Sequence, residues 1–164
     1  MIGCIGLGVM GEPICANLLR RSGCRVVGFD LRPEPLARLA DAGLAPQTSA
    51  EEVARRAQVV FLSLPGGPEL AEICARLEGA MGQGALLVDL STAPVDLTRA
   101  LAQKFAARGI AYADAPVART RFAAERGELS VMVGADAATF ARILPYLRCF
   151  ASDVLHCGPI GAGQ

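Results

Sequence analysis

Residues 1–11, MIGCIGLGVMG, decide the fold when read together with Asp30, nineteen residues further on. The β-rich run Ile2-Gly3-Cys4-Ile5 enters three glycines spaced Gly6-x-Gly8-x-x-Gly11, and the amphipathic run GEPICANLLRRSG leaves them, closing on Gly23. Three glycines in six residues occur in many turns, so the spacing alone says little. Here a strand precedes them, a helix opens at them, and a second strand, RVVGFD, ends in Asp30. In such a unit the first glycine permits the tight turn. The second lets the backbone approach a pyrophosphate, and the third lets helix and strand pack closely. The helix N-terminus adds free N–H groups and a partial positive charge. Gly6, Leu7, Gly8, Val9, Met10 and Gly11 are therefore the candidate phosphate cradle. Asp30 is placed to accept hydrogen bonds from adenosine ribose hydroxyls and to repel a 2′-phosphate, which favours NAD. Arg32, two residues on, is placed to reach such a phosphate, so NADP stays open.

Outward from this unit, short apolar runs alternate with amphipathic ones. PEPLARLADAG has Pro at its start and Gly at its end, as a helix does. TSAEEVARRA sets Ser49 and Glu52 at capping-box spacing ahead of another helix. QVVFLSLP and ALLVDLS read as strands around the helix PELAEICARLEGA. PVDLTRALAQKFAARG is helical, with Leu97, Leu101 and Phe105 on one face and Lys104 off it. IAYADAP and LSVMVG read as strands, and DAATFARILPYLRCF as a helix that Pro145 is expected to kink or shorten. Continuous apolar strands alternating with helices predict a mainly parallel sheet covered on both faces, a doubly wound, Rossmann-like α/β fold.

Composition bounds the function. A hydrophobic fraction of 52% with mean hydropathy +0.39 excludes a disordered chain. Sixteen basic and sixteen acidic residues are scattered without a basic patch, which argues against nucleic-acid or membrane-surface binding. The sequence has no apolar run long enough to span a membrane and opens without a charged leader, so the expected location is cytoplasmic. The six cysteines form no C-x-x-C and have no histidine at ligand spacing, so no metal site is expected and buried apolar roles are. The lone His156 lies in a strand-like DVLHC run and reads as structural. Fifteen of the sixteen basic residues are arginines, so Lys104 is the only lysine available as an acid or base.

GLGVMGEPICANLLRRSG closely resembles the opening signature of the β-hydroxyacid dehydrogenases, which include 3-hydroxyisobutyrate dehydrogenase and tartronate semialdehyde reductase and are related to 6-phosphogluconate dehydrogenase. FLSLPGGPEL, VDLSTAPV, DAPV, GELSVMVGAD and CGPIGAGQ resemble further segments of that family in its order, so the likeness covers essentially the whole chain. The resemblance implies that Leu64 and Pro65 line the cofactor, with Glu69 nearby, and that Ser91 and Thr92 sit near the nicotinamide ribose. An ordinary helix N-terminus accounts for Ser91 and Thr92 as well, and the two roles are compatible.

Two departures stand out. The family's D-A-P-V-S-G-G loop holds the substrate carboxylate, and here Ala118, Arg119 and Thr120 occupy the last three places. A similar V-G-R-T loop marks the sulfolactaldehyde reductase branch, so Arg119 and Thr120 are expected to bind the acidic group of a small anionic substrate. Arg121 and Arg126 read as solvated helix surface. The family's proton-donating lysine follows G-x-G-Q by about three residues and leads into an all-helical half that carries the dimer contacts. This chain reads to Gln164, and Lys104 belongs to an outer helix. The expectation is a single dinucleotide-binding domain over 1–164, with no catalytic residue of its own and without that helical half. It would bind cofactor without turnover, while the full-length protein forms a homo-oligomer. Two other readings remain: a non-catalytic NAD(P)-sensing module, and an imine or glyoxylate reductase on the same scaffold.

Overall fold

The computed structural model describes all 164 residues. From the N-terminus it runs β1 (Ile2–Ile5), α1 (Gly11–Arg21), β2 (Val26–Phe29), α2 (Pro33–Ala40), β3 (Ala45–Pro46) and α3 (Ala50–Arg56). Next come β4 (Val59–Leu62), α4 (Gly67–Leu77), β5 (Leu86–Asp89), α5 (Val95–Ala106) and β6 (Ala111–Asp114). The chain closes with β7 (Val117–Ala118), α6 (Arg121–Arg126), β8 (Leu129–Gly134), α7 (Ala137–Leu147) and β9 (Ala151–Gly158). The strands form one sheet in the order β3-β2-β1-β4-β5-β6-β8-β7, with β9 also paired to β8. All pairings from β3 to β6 are parallel, β8 runs antiparallel to β6 and β7, and β9 lies parallel to β8. The doubly wound α/β reading is therefore borne out.

The sheet divides the core in two. Successive strand residues point to opposite faces, so Val59 and Phe61 enter one cluster of 27 buried residues while Val60 and Leu62 enter another of 19. The first takes Ile14 and Leu18 of α1 with Ile143 and Leu147 of α7. The second takes Val53 of α3, Leu70 and Leu77 of α4, and Leu101 and Phe105 of α5. Lys104 is exposed on the far side of α5, as its periodicity predicts.

Helix ends follow local chemistry. Ser49 caps α3 by accepting from the Glu52 N–H at 3.2 Å, while the Glu52 carboxylate turns back to the Thr48 N–H at 3.0 Å. Asp136 caps α7 through the Thr139 N–H at 2.8 Å. Helix α7 holds Pro145 within its last turn and ends at Leu147, short of the end of the apolar run at Phe150. One expectation changes at α5, which begins at Val95 with Pro94 at its cap, so Ser91 and Thr92 precede the helix rather than cap it. Four of the six cysteines are buried, and all six are free. His156 stacks on Phe140 and bonds the Ala135 carbonyl at 2.8 Å, a structural placement. No helix is long and apolar enough to cross a membrane.

Candidate functional site

The strand order reverses between β1 and β4, and a cleft of about 640 Å³ opens there beyond the carboxyl ends of the strands. The loop after β1 brings Gly6, Gly8, Val9 and Met10 to it, and the end of β2 brings Asp30 and Arg32. The segment after β4 contributes Leu64, Pro65 and Glu69. Three distant stretches of sequence thus converge on one cavity, where doubly wound sheets bind ligands.

Local geometry explains the glycines. Gly6 has φ 84°, and a Cβ there would overlap the Ser63 carbonyl oxygen. At Gly11 a Cβ would overlap the carbonyl oxygen of Gly6, so the helix can start this close to the strand only with glycine. Gly8 differs: the nearest atom to its virtual Cβ is Arg32 Nη2 at 3.9 Å, so that position faces open space. A side chain would project where a pyrophosphate has to approach, and the cradle fits a dinucleotide. Leu7 is buried and lies behind the loop; its N–H donates to Asp30 Oδ2 at 2.6 Å. The other Asp30 oxygen accepts from the Arg32 N–H at 2.8 Å.

The cleft also contains residues that motif reading missed: Phe29, Leu31, Ser63, Glu72, Ile73 and Arg76. Leu31 is 88% exposed beside Asp30, an apolar surface at that end of the cleft. Arg76 reaches across from α4 to grip Glu51 of α3 with Nε and Nη2, at 2.7 and 3.0 Å, and holds that carboxyl down at about 2. Helical spacing from Glu69 to Glu72, Ile73 and Arg76 was the available signal, since these positions share one face of α4.

Ser91 and Thr92 do not line this cleft. Ser91 is buried, and its hydroxyl accepts from the Leu64 N–H at 3.0 Å, so it fixes the segment that does. Its own N–H donates to Asp89 Oδ1 at 2.9 Å, and Tyr112 donates to the other oxygen at 3.1 Å. Burial pushes the Asp89 carboxyl up to about 6 despite these bonds. On the next strand Asp114 accepts from the N–H groups of Gly161 and Gly163 at 2.7 and 2.9 Å. Gln164 spans the gap, accepting from the Ala93 N–H at 3.0 Å and donating to the Ser91 carbonyl at 3.2 Å. The G-x-G-Q segment is thereby seated against Ser91–Ala93, at the same edge of the sheet.

Ala118, Arg119 and Thr120 lie between β7 and α6. Arg119 has φ 89°, the one positive value outside glycine. Its guanidinium pairs with Asp153 of β9 and donates to the Glu128 carbonyl at 2.8 Å. The Thr120 hydroxyl caps α6 by accepting from the Ala123 N–H at 3.3 Å. Both side chains thus have protein partners. Arg121 is an exposed helix residue, as read, and it also has partners: it donates to the Val9 carbonyl of the glycine loop at 3.3 Å and lies 3.4 Å from Glu12 of α1. Helix α6 packs along α1, which brings this side chain to the cradle. Arg126 pairs with Glu128 over the Phe122 ring at the surface.

A mainly parallel sheet with this strand order and a glycine cradle at its reversal belongs to the class of Rossmann-type dinucleotide-binding domains. Residues 1–158 match the family described as the NAD binding domain of 6-phosphogluconate dehydrogenase, and the chain belongs to that family. It is 36% identical to 2-(hydroxymethyl)glutarate dehydrogenase of Eubacterium barkeri and 37% identical to 3-hydroxyisobutyrate dehydrogenase of Pseudomonas aeruginosa. Both matches cover 99% of this chain and 55% of the relative, so the chain spans about half the length of the curated proteins it matches. The structure of Mycobacterium tuberculosis 3-hydroxyisobutyrate dehydrogenase with L-serine superposes with a TM-score of 0.94 at 35% identity, covering 99% of this chain and 55% of that one. Psf3 in complex with NADP+ and 2-OPP gives 0.94 at 28% identity, covering 100% and 59%. Imine reductases at 18% to 22% identity share the fold.

Proposed function

We propose that the cleft binds NAD in preference to NADP, and that the full-length protein moves a hydride between the nicotinamide and a small 3-hydroxy acid or its semialdehyde. The cofactor supplies the hydride chemistry, and the protein supplies orientation and charge. The observation that carries the NAD reading is the state of the charged groups in the cleft. Asp30 presents its carboxylate at the ribose end, while both arginines there have carboxylate partners, Arg32 with Asp30 at 3.4 Å and Arg76 with Glu51. A 2′-phosphate would meet the carboxylates of Asp30, Glu69 and Glu72, and to receive it Arg32 would have to leave Asp30. Gly6 to Gly11 cradle the pyrophosphate in this reading, Leu64, Pro65 and Glu69 border the cofactor, and Ser91 with Thr92 stands towards the nicotinamide ribose.

Ala118, Arg119 and Thr120 form the loop that meets the acidic group of the substrate, a carboxylate or a sulfonate. For Arg119 this requires exchanging Asp153 for the substrate anion. A helical domain beyond this one completes the pocket and the oligomer, and supplies the proton donor. Lys104 is exposed on α5 and does not fill that role. These 164 residues accordingly bind cofactor without turnover.

Fluorescence titration with NADH and NADPH tests the reading. NADH is expected to bind at least about tenfold more tightly, a difference of about 1.4 kcal/mol. A preference for NADPH would overturn the NAD assignment, and steady NADH-dependent reduction by this chain would overturn the division of labour.

A further inference from the structure

Glu12 stands in the first turn of α1, the helix whose N-terminus opens on the cleft, and its side chain is 14% exposed. A carboxylate suits that end of a helix, but it competes with an incoming pyrophosphate for the same positive potential. Two arginines from different elements close on it. Arg38 of α2 donates from Nε to Glu12 Oε1 at 2.6 Å, and Arg121 of α6 brings Nη2 to 3.4 Å from Oε2. Together they hold the Glu12 carboxyl below its usual range, Arg38 being the larger cause.

Arg121 does more than Arg38. Its Nη1 donates to the Val9 carbonyl at 3.3 Å, inside the glycine loop, and its Nε is steadied by Glu125 at 2.9 Å. Val9 itself is 66% exposed and lies at the cleft. The Val9 carbonyl is thus held from the α6 side, next to the space Gly8 leaves open. Arg121 also directly follows Ala118–Thr120, so one side chain ties the candidate substrate loop to the phosphate cradle.

We propose that Arg121 is a positioning residue for the dinucleotide pyrophosphate, acting from α6 to cancel Glu12 and pin the Val9 carbonyl. The proposal rests on the reading of the cleft as a dinucleotide site.

Titration of the chain and its variants with NADH, ADP and adenosine tests it, with circular dichroism as the folding control. Arg121→Ala is expected to weaken NADH and ADP about tenfold and to leave adenosine unchanged, since adenosine carries no phosphate. Glu12→Gln added to Arg121→Ala is expected to restore about threefold of the lost ADP binding, since the Val9 carbonyl stays unpinned, and Arg121→Lys to retain most of it. Arg121→Ala binding NADH like the parent, or losing adenosine and ADP equally, overturns the proposal while leaving the cofactor reading intact. If the parent chain binds neither NADH nor ADP, the cofactor reading itself fails and the proposal falls with it. If Arg121→Ala does not fold, Glu12→Gln alone decides: tighter ADP binding supports the proposal and weaker binding overturns it.

Discussion

Arg119 sits in the left-handed region at φ 89°, in a place where a Cβ is unwelcome. For a residue other than glycine that conformation costs about 1–2 kcal/mol. Its ion pair with Asp153 is about half exposed on both sides, at 44% and 50%, and such pairs contribute no more than about 1 kcal/mol. Strain therefore matches or exceeds the gain. Arg119→Gly is expected to be at least as stable as the parent chain, whereas Arg119→Ala keeps the strain and loses the pair. Urea unfolding should separate the two variants by about 1 kcal/mol in favour of glycine. Equal stabilities would remove the strain argument. A costly arginine in a loop where the resemblance leads one to expect a glycine supports a binding role, because strained backbone concentrates at functional sites.

At the scale of elements, α6 is six residues long and far too short to be stable by itself. It is held by α1. The buried Asn17 donates to the Ala124 carbonyl at 2.8 Å and to the Pro13 carbonyl at 3.0 Å, and Arg21 donates to the Arg126 carbonyl at 3.2 Å. Asn17→Leu would remove the tie between α1 and the Ala124 carbonyl, which keeps only the Gly127 N–H at 3.1 Å, at a cost of about 0.5–1.5 kcal/mol. Amide exchange should rise in α6 and its flanking loop before it rises in β1 or β4; uniform protection across these segments would count against the clamp. This clamp also marks the limit of what the sequence alone reveals. The cradle and Asp30 were legible because a local pattern of strand, glycines and helix carries its own geometry, whereas the Leu64–Pro65 segment was legible only through the family resemblance. The helix was legible in RTRFAAERG, but its packing on α1 was not. Arg121 meets Val9 across 112 residues of chain, and no periodicity encodes a contact of that range.

Across the whole molecule, the carboxyl ends of β5 and β6 place two fully buried carboxylates under the functional edge, Asp89 and Asp114. Asp89 organises that edge at a cost in charge burial. Its carboxyl moves from an ordinary 3.8 up to about 6, because desolvation outweighs the bonds from Ser91 and Tyr112. The folded state thus holds a proton between about pH 4 and 6 that the unfolded chain has released, so stability falls as pH rises through that window and stays lowered above it. The difference between 3.8 and about 6 corresponds to about 3 kcal/mol. Asp89→Asn preserves the shape, since its oxygen can accept from the Ser91 N–H and its amide can meet the Tyr112 hydroxyl, but it carries no charge to bury. Unfolding free energies measured from pH 4 to 7 should therefore show the Asn variant gaining on the parent by up to about 3 kcal/mol, with the gain complete near pH 7. Parallel curves for the two proteins would mean that Asp89 is not the titrating group. A gain without loss of NADH binding would show that the charge at Asp89 serves neither the fold nor the cofactor, leaving its hydrogen bonds to Ser91 and Tyr112 as its contribution to the edge.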